Sequence, residues 1–368
     1  PPGYYYRPGT GAGRLRWHIH LPGGGWCASE RECVNRSLTA IGSSKYWAAD
    51  PELHEGKQHA PKMRGILSER RRSNPAFHSW NLVVMLYCDG GGYMSIRGPV
   101  LVRVGPGKQR MIHMQGWNNV QAVMHDIKLN RGANAATRVL LSGCSAGGQA
   151  VIMLCDRMAA AFPAAATKCL SDSAFITDAK DRLGERHARQ YVKEVATTHN
   201  INIPNCYTGG RVQRSWMCFF PQYALKTVST PIFLYQSLFD KILIAYGNQL
   251  PGDTKYMRMC LHNEIFGQHP NIATIIEWRA WGRVNWTNWY CRPQERRALL
   301  DMASITYSQL KKVTKARRNV GVYLVSSVVH TLLASNGWGA LTVKGMRLRA
   351  VFTNWYFDWS KQNVFIYD

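Results

Sequence analysis

The sequence predicts an α/β fold of three layers, with helices on both faces of a mainly parallel central sheet. Three observations carry that expectation. Apolar runs of strand length end in glycine or a carboxylate, stretches of helical period separate them, and the two alternate along 368 residues. Hydrophobic residues make up 46% and charged residues 18%, a balance that excludes extensive disorder. One elaborated domain over residues 1–368 is expected, with no internal repeat or linker.

The elements follow in order. "RLRWHIHLPGGGW" reads as a strand entering a glycine loop, with His18 and His20 on one side of it. "NLVVMLYCDGGGY" repeats that grammar, its run Leu82 to Tyr87 suited to a strand covered on both faces. "GWNNVQAVMHDIKLN" places Val120, Val123, Met124 and Ile127 at helical spacing, and "RVLLSG" returns to strand. "QAVIMLCDRMAAAF" is helical and stops before Pro163, and "TPIFLYQSLFD" is a buried strand ending at Asp240. "QERRALLDMASITYSQLKKVTKARR" is a long helix before the strand "VGVYLVSS". The Trp-rich stretch around residues 261–295 breaks the order and reads as an insertion.

Lys and Arg outnumber Asp and Glu by 46 to 22, a net charge of +24 that attracts polyanions over a Debye length of about 10 Å. The basic runs "KMRGILSERRRSN" and "KKVTKARR" lack interleaved aromatics, so solvated helix faces are expected and specific nucleic-acid binding is not. No apolar window reaches the roughly 18 to 20 residues of a membrane span, and "PPGYYYRPG" shows no signal-peptide pattern, so a soluble, already processed chain is expected. Of ten cysteines, Cys27 with Cys33, Cys206 with Cys218 and Cys260 with Cys291 lie near one another in loop-like sequence. That favours disulfides and an oxidising compartment over zinc, for which no paired CxxC exists. The sequons at Asn35 and Asn285 agree with secretion.

Gly143-Cys144-Ser145-Ala146-Gly147 fits GxSxG between a strand and a helix. Small neighbours permit the strained turn that lifts a serine hydroxyl to the sheet's carboxyl edge, beside helix amides able to hold an oxyanion. A serine needs an imidazole base, and the imidazole a carboxylate, in the order Ser, Asp, His. His330 lies beyond the last long strand; Asp240, Asp172 and Asp178 compete for the carboxylate. "GGGW" (Gly23 to Trp26) suits an oxyanion loop better than a phosphate cradle, since no Lys-Ser/Thr follows.

With those residues in place, the chain resembles the pectin acetylesterase family through most of its length. "GGGWC", "NPAFHSWNLVVMLYCDG", "LLSGCSAGGQA", "CLSDSAFITDAKD", "CFFPQY" and "TPIFLYQSLFD" carry the resemblance. It implies an α/β-hydrolase-like fold, a triad of Ser145, Asp240 and His330, and oxyanion amides at Gly24, Gly25 and Ala146. Asp172 then becomes a supporting carboxylate. The implied disulfides are Cys27 with Cys33, Cys206 with Cys218, Cys260 with Cys291 and Cys155 with Cys169. Pro22 stands where the family usually has Glu, Ser327 where it has Cys, and "TLLASNGW" departs after His330. The resemblance implies an amino-terminal cysteine before this sequence and a cysteine-rich tail after it, which leaves Cys88 without its expected partner. The implied function is that of a secreted, monomeric cell-wall esterase that removes O-acetyl groups from pectin, an acidic polysaccharide, without metal or cofactor. The alternatives are a deacylase of lipidated protein, as in the family's Notum branch, and an inactive cationic polysaccharide-binding relative.

Overall fold

The computed structural model describes residues 2–49, 63–181, 183–201, 212–248, 292–358 and 363–368. The strands are β1 (Tyr4–Arg7), β2 (Arg16–Leu21), β3 (Asn81–Met85), β4 (Gly98–Gly105), β5 (Lys108–Met114), β6 (Arg138–Cys144), β7 (Ala166–Asp172), β8 (Ile232–Ser237), β9 (Val320–Val325), β10 (Thr342–Val343), β11 (Met346–Arg347) and β12 (Asn363–Ile366). The helices are α1 (Glu30–Arg36), α2 (Gly116–Asn130), α3 (Ala146–Ala161), α4 (His187–Thr198), α5 (Pro221–Ala224), α6 (Lys241–Asn248), α7 (Pro293–Ala316), α8 (Gly337–Ala340) and α9 (Leu348–Phe357).

Eight strands form one sheet in the order β1-β3-β2-β6-β7-β8-β9-β12, parallel throughout except for the edge strand β1. The apolar runs become the inner strands because both sheet faces are covered. Every residue of β3, β8 and β9 is buried. Alternation divides them: Val139 and Leu141 enter the core under α2 and α3, whereas Leu140 enters a second core with Phe352, Trp355 and Tyr356 of α9. The expected α/β class and mainly parallel sheet are borne out.

The sheet's carboxyl edge is where chemistry collects. β6 ends beside β7, β7 beside β8 and β8 beside β9, so the segments after these four strands lie next to one another. Ser145 follows β6, Asp172 ends β7, Asp240 follows β8 and His330 follows β9.

Two expectations change. "KMRGILSERRRSN" is not a helix face: Gly65, Ile66 and Leu67 form a buried 3-10 turn, and the Ile66 amide donates to the Leu333 carbonyl at 2.9 Å. Gly65 has φ +57°, and a Cβ there would meet the Leu333 oxygen at 2.0 Å, so the turn must dive under that loop rather than coil at the surface. β4 and β5 form an antiparallel hairpin outside the main sheet, an element the sequence reading does not assign. Helix α7 starts at Pro293, so residues 293–295 of the expected insertion are helical; residues 261–291 lie outside the described residues.

Disulfides join Cys27 to Cys33 and Cys155 to Cys169, the second tying α3 to β7. Cys218 is disulfide-bonded, while its expected partner Cys206 and the expected pair Cys260 and Cys291 lie outside the described residues. Asn35 is exposed on α1, and Asn285 also lies outside the described residues. Among the described residues, no helix is long and apolar enough to cross a membrane.

Candidate active site

Ser145 joins β6 to α3 with φ 54° and ψ −126°, backbone angles that L-residues seldom adopt. The glycines around it make the turn possible. A Cβ on Gly147 would lie 2.0 Å from the Leu21 carbonyl oxygen, and one on Gly143 would lie 2.4 Å from the Gly147 oxygen. The Ser145 amide donates to the Asp172 carbonyl at 2.8 Å, fixing the turn to the neighbouring strand. Helix α3 begins at Ala146, so unpaired amides and the positive helix end lie beside the hydroxyl.

Asp240 is 1% exposed, and its Oδ1 accepts the amides of Ile242 and Leu243 at 3.0 and 3.2 Å, capping the start of α6. His330 Nδ1 lies 2.8 Å from both Asp240 oxygens. A carboxylate can only accept, so it holds the proton on Nδ1 and leaves Nε2 free to accept one. The segment after His330 is tied down as well. Asp172 Oδ2 accepts the amides of Leu332 and Leu333, both at 2.8 Å, and Ser173 Oγ accepts that of Thr331 at 3.0 Å.

Burial raises the Asp172 pKa, an effect opposed by the Leu333 and Leu332 amides and the Ser173 hydroxyl. Asp172 therefore supports the histidine segment. Asp178 instead meets Arg186, Arg189 and Tyr223. Of the three candidate carboxylates, the structure brings only Asp240 to the imidazole. It does not join Ser145 to His330: the Ser145 hydroxyl makes no hydrogen bond among the described residues.

The glycine loop crosses the same edge. An added Cβ on Gly23 would lie 2.7 Å from the Ser145 Cβ. Nearly every carbonyl of the loop is held from outside. Tyr93 Oη donates to Pro22 O at 2.8 Å, Arg36 Nη1 to Gly24 O at 2.8 Å and Tyr87 Oη to Gly25 O at 2.7 Å. Tyr191 Oη reaches Trp26 O at 3.4 Å, His199 Nε2 reaches Cys27 O at 2.9 Å and Thr198 Oγ1 reaches Ala28 O at 2.6 Å. The amides of Gly24 and Gly25 make no hydrogen bond among the described residues. Pro22, where the resemblance implies a Glu, contributes its carbonyl to this set. Ser327, where the resemblance implies a Cys, caps the turn before His330 by accepting the Val329 amide at 3.1 Å.

Burial pushes the Cys144 thiol up to about 12, with Asp172 adding to the effect, and pushes Cys88 up to about 11. Both thiols are free and stay protonated, so neither is a nucleophile at neutral pH. The one grouping of metal-ligand type among the described residues is Cys27, Cys33 and His199, and its two sulfurs are bonded to each other. His18 and His20 share Ser142 Oγ at 2.6 and 2.8 Å inside the sheet. Sequence reasoning missed Arg36, Tyr87 and Tyr93. The repeated strand-to-glycine pattern of "LYCDGGGY" is the clue that a second loop packs behind the first.

The parallel sheet, the strand-turn-helix serine and the Asp-His pair on later strands define an α/β-hydrolase-like protein. The chain belongs to the pectinacetylesterase family, whose pattern matches residues 1–366. It is similar to pectin acetylesterase 11 of Arabidopsis thaliana, 33% identical over 242 residues, which are 65% of this chain and 57% of that protein. It is 27% identical to the palmitoleoyl-protein carboxylesterase NOTUM of Schmidtea mediterranea, over 99% of this chain and 61% of that protein. The chain thus spans under two thirds of the length of these curated relatives. The Wnt deacylase Notum from Drosophila shares the fold, with a TM-score of 0.73 at 18% identity over 100% of this chain and 91% of that one.

Proposed function

We propose that the chain is a secreted serine carboxylic ester hydrolase that removes O-acetyl groups from pectin. The observation that carries the reading is the Asp240–His330 pair, both oxygens 2.8 Å from Nδ1, on the edge that presents the positive-φ Ser145. Ser145 Oγ attacks the acetyl carbonyl carbon and its proton passes to His330 Nε2, while Asp240 holds the ring and stabilises the imidazolium. The amides of Gly24, Gly25 and Ala146 receive the oxyanion. His330 then returns the proton to the leaving sugar oxygen, and water repeats the sequence on acetyl-Ser145. The Ser145–His330 hydrogen bond belongs to the substrate complex, in which catalytic contacts tighten.

The net charge of +24 suits a polygalacturonate chain, the disulfides suit export, and a monomer is sufficient for the chemistry. The test is acetate release from acetylated polygalacturonate, alongside nitrophenyl esters of two to twelve carbons. Hydrolysis of acetyl esters, lost in Ser145→Ala, is expected. A preference for eight carbons or more would replace pectin by a lipidated substrate, and hydrolysis unchanged in Ser145→Ala would remove Ser145 from the reaction.

A further inference from the structure

Arg36 is half-buried, and its guanidinium is placed unusually for a cation. It ends α1, a helix fixed at its start by the Ser29 cap and the Cys27–Cys33 disulfide. Its guanidinium lies 4.9 Å over the Tyr87 ring and, among the described residues, makes a single hydrogen bond, from Nη1 to the Gly24 carbonyl at 2.8 Å. Nε and Nη2 are buried with no hydrogen-bond partner, and no carboxylate pairs with Arg36 among the described residues. Space has been cleared for it. A Cβ on Gly24 would lie 2.8 Å from the Tyr87 ring and 3.2 Å from Arg36 Nη2, and one on Gly90 would lie 3.1 Å from Arg36 Cδ.

A guanidinium whose Nε and Nη2 are shut off from solvent without a hydrogen-bond partner is stabilised when negative charge develops nearby. The Gly24 carbonyl and the Gly25 amide belong to one planar trans peptide and point in opposite directions. Holding that oxygen on Arg36 therefore turns the Gly25 N–H away from the packed side of the loop. A cationic donor on the carbonyl also polarises the peptide and strengthens the same N–H as a donor.

We propose that Arg36 is a positioning residue for ester hydrolysis, acting through the Gly24–Gly25 peptide to stabilise the oxyanion. This rests on the esterase reading above. Arg36 touches neither the substrate nor Ser145; its positive charge acts through one peptide group. The interaction strengthens only as the carbonyl oxygen becomes an oxyanion, so the effect falls on kcat rather than KM.

The test compares Arg36→Lys and Arg36→Gln with wild type for acetyl-ester kcat and KM, thermal midpoint and affinity for a trifluoromethyl ketone, which forms an oxyanion on the serine. Arg36→Gln keeps a neutral donor; it is expected to lower kcat about tenfold or more, leave KM within about twofold and weaken the ketone by the factor lost in kcat. Arg36→Lys keeps the charge and is expected to recover most of that loss. A folded Arg36→Gln with wild-type kcat, or a Lys variant that falls as far as Gln, overturns the proposal, as does a fall in kcat with unchanged ketone affinity. If Arg36→Gln does not fold, Arg36→Lys decides: kcat and ketone affinity both within about threefold of wild type support the proposal, and a loss of about tenfold or more in kcat overturns it. A wild type that neither hydrolyses acetyl esters nor reacts with an organophosphonate at Ser145 overturns the esterase reading first, before any Arg36 variant is made.

Discussion

At the residue scale, the site depends on what single side chains can accept, donate or leave out. Asp240 orients His330 through both oxygens, so Asp240→Asn replaces one acceptor by a donor and favours the wrong imidazole tautomer. The expected result is a fall in kcat of roughly 10³–10⁴-fold, with KM and the thermal midpoint little changed. A loss below tenfold would remove Asp240 from the proposed mechanism. Gly147 makes the opposite kind of demand, because a methyl there would be driven into the Leu21 and Pro22 carbonyls at 2.0 and 2.5 Å. Gly147→Ala is expected to cost about 3 kcal/mol or more, read as a lower urea midpoint. These positions were legible in sequence because GxSxG and the Ser, Asp, His order are local or ordinal patterns. Arg36 was not, because an arginine at a helix end reads as solvated until the fold lays a glycine loop against it.

At the element scale, the inner strands were legible because strands buried on both faces must be continuously apolar, as in "NLVVM" and "IFLYQS". The β4–β5 hairpin was not, since one of its faces is exposed: Val102, Ile112 and Met114 are buried while Leu101 and Met111, paired across the strands, are about half exposed. That pattern resembles an ordinary polar connection. The choice among Asp172, Asp178 and Asp240 also belonged to this scale. All three follow strand-like sequence, so their local pattern left them open; the family resemblance pointed to Asp240, and the order of strands sets it beside the imidazole. The Cys155–Cys169 bridge closes 14 residues between α3 and β7, which chain entropy values at about 3 kcal/mol. The double variant Cys155→Ala with Cys169→Ala should lower unfolding stability by about that amount while leaving kcat near wild type. A large loss of kcat in the folded variant would mean that the bridge also sets the serine turn, which starts the same helix.

At the scale of the whole molecule, acid should unfold this chain through groups at the centre of its sheet. His18 and His20 lie on the inner strand β2 and share the Ser142 hydroxyl, with 1% and 2% exposure. Burial lowers both pKa values, that of His20 to about 4 and that of His18 well below its usual value, where the neighbouring His20 and Arg7 add to the effect. Both rings are therefore neutral in the folded chain at pH values where an unfolded histidine, with a pKa near 6.5, already binds a proton. Between about pH 6.5 and 4 the unfolded state holds more protons, so stability falls as pH falls, by up to roughly 3 kcal/mol for His20 alone. Repulsion within a chain of net charge +24 adds to the loss, but salt screens exposed charges far more than a buried imidazole. Urea unfolding at pH 7.0, 6.0 and 5.0, each at low and high salt, separates the two contributions. The histidine contribution is the part of the decline that survives high salt, and it should shrink in His20→Gln, whose side chain does not titrate. A decline abolished by salt, or equally steep in His20→Gln, would assign the acid sensitivity to surface charge instead.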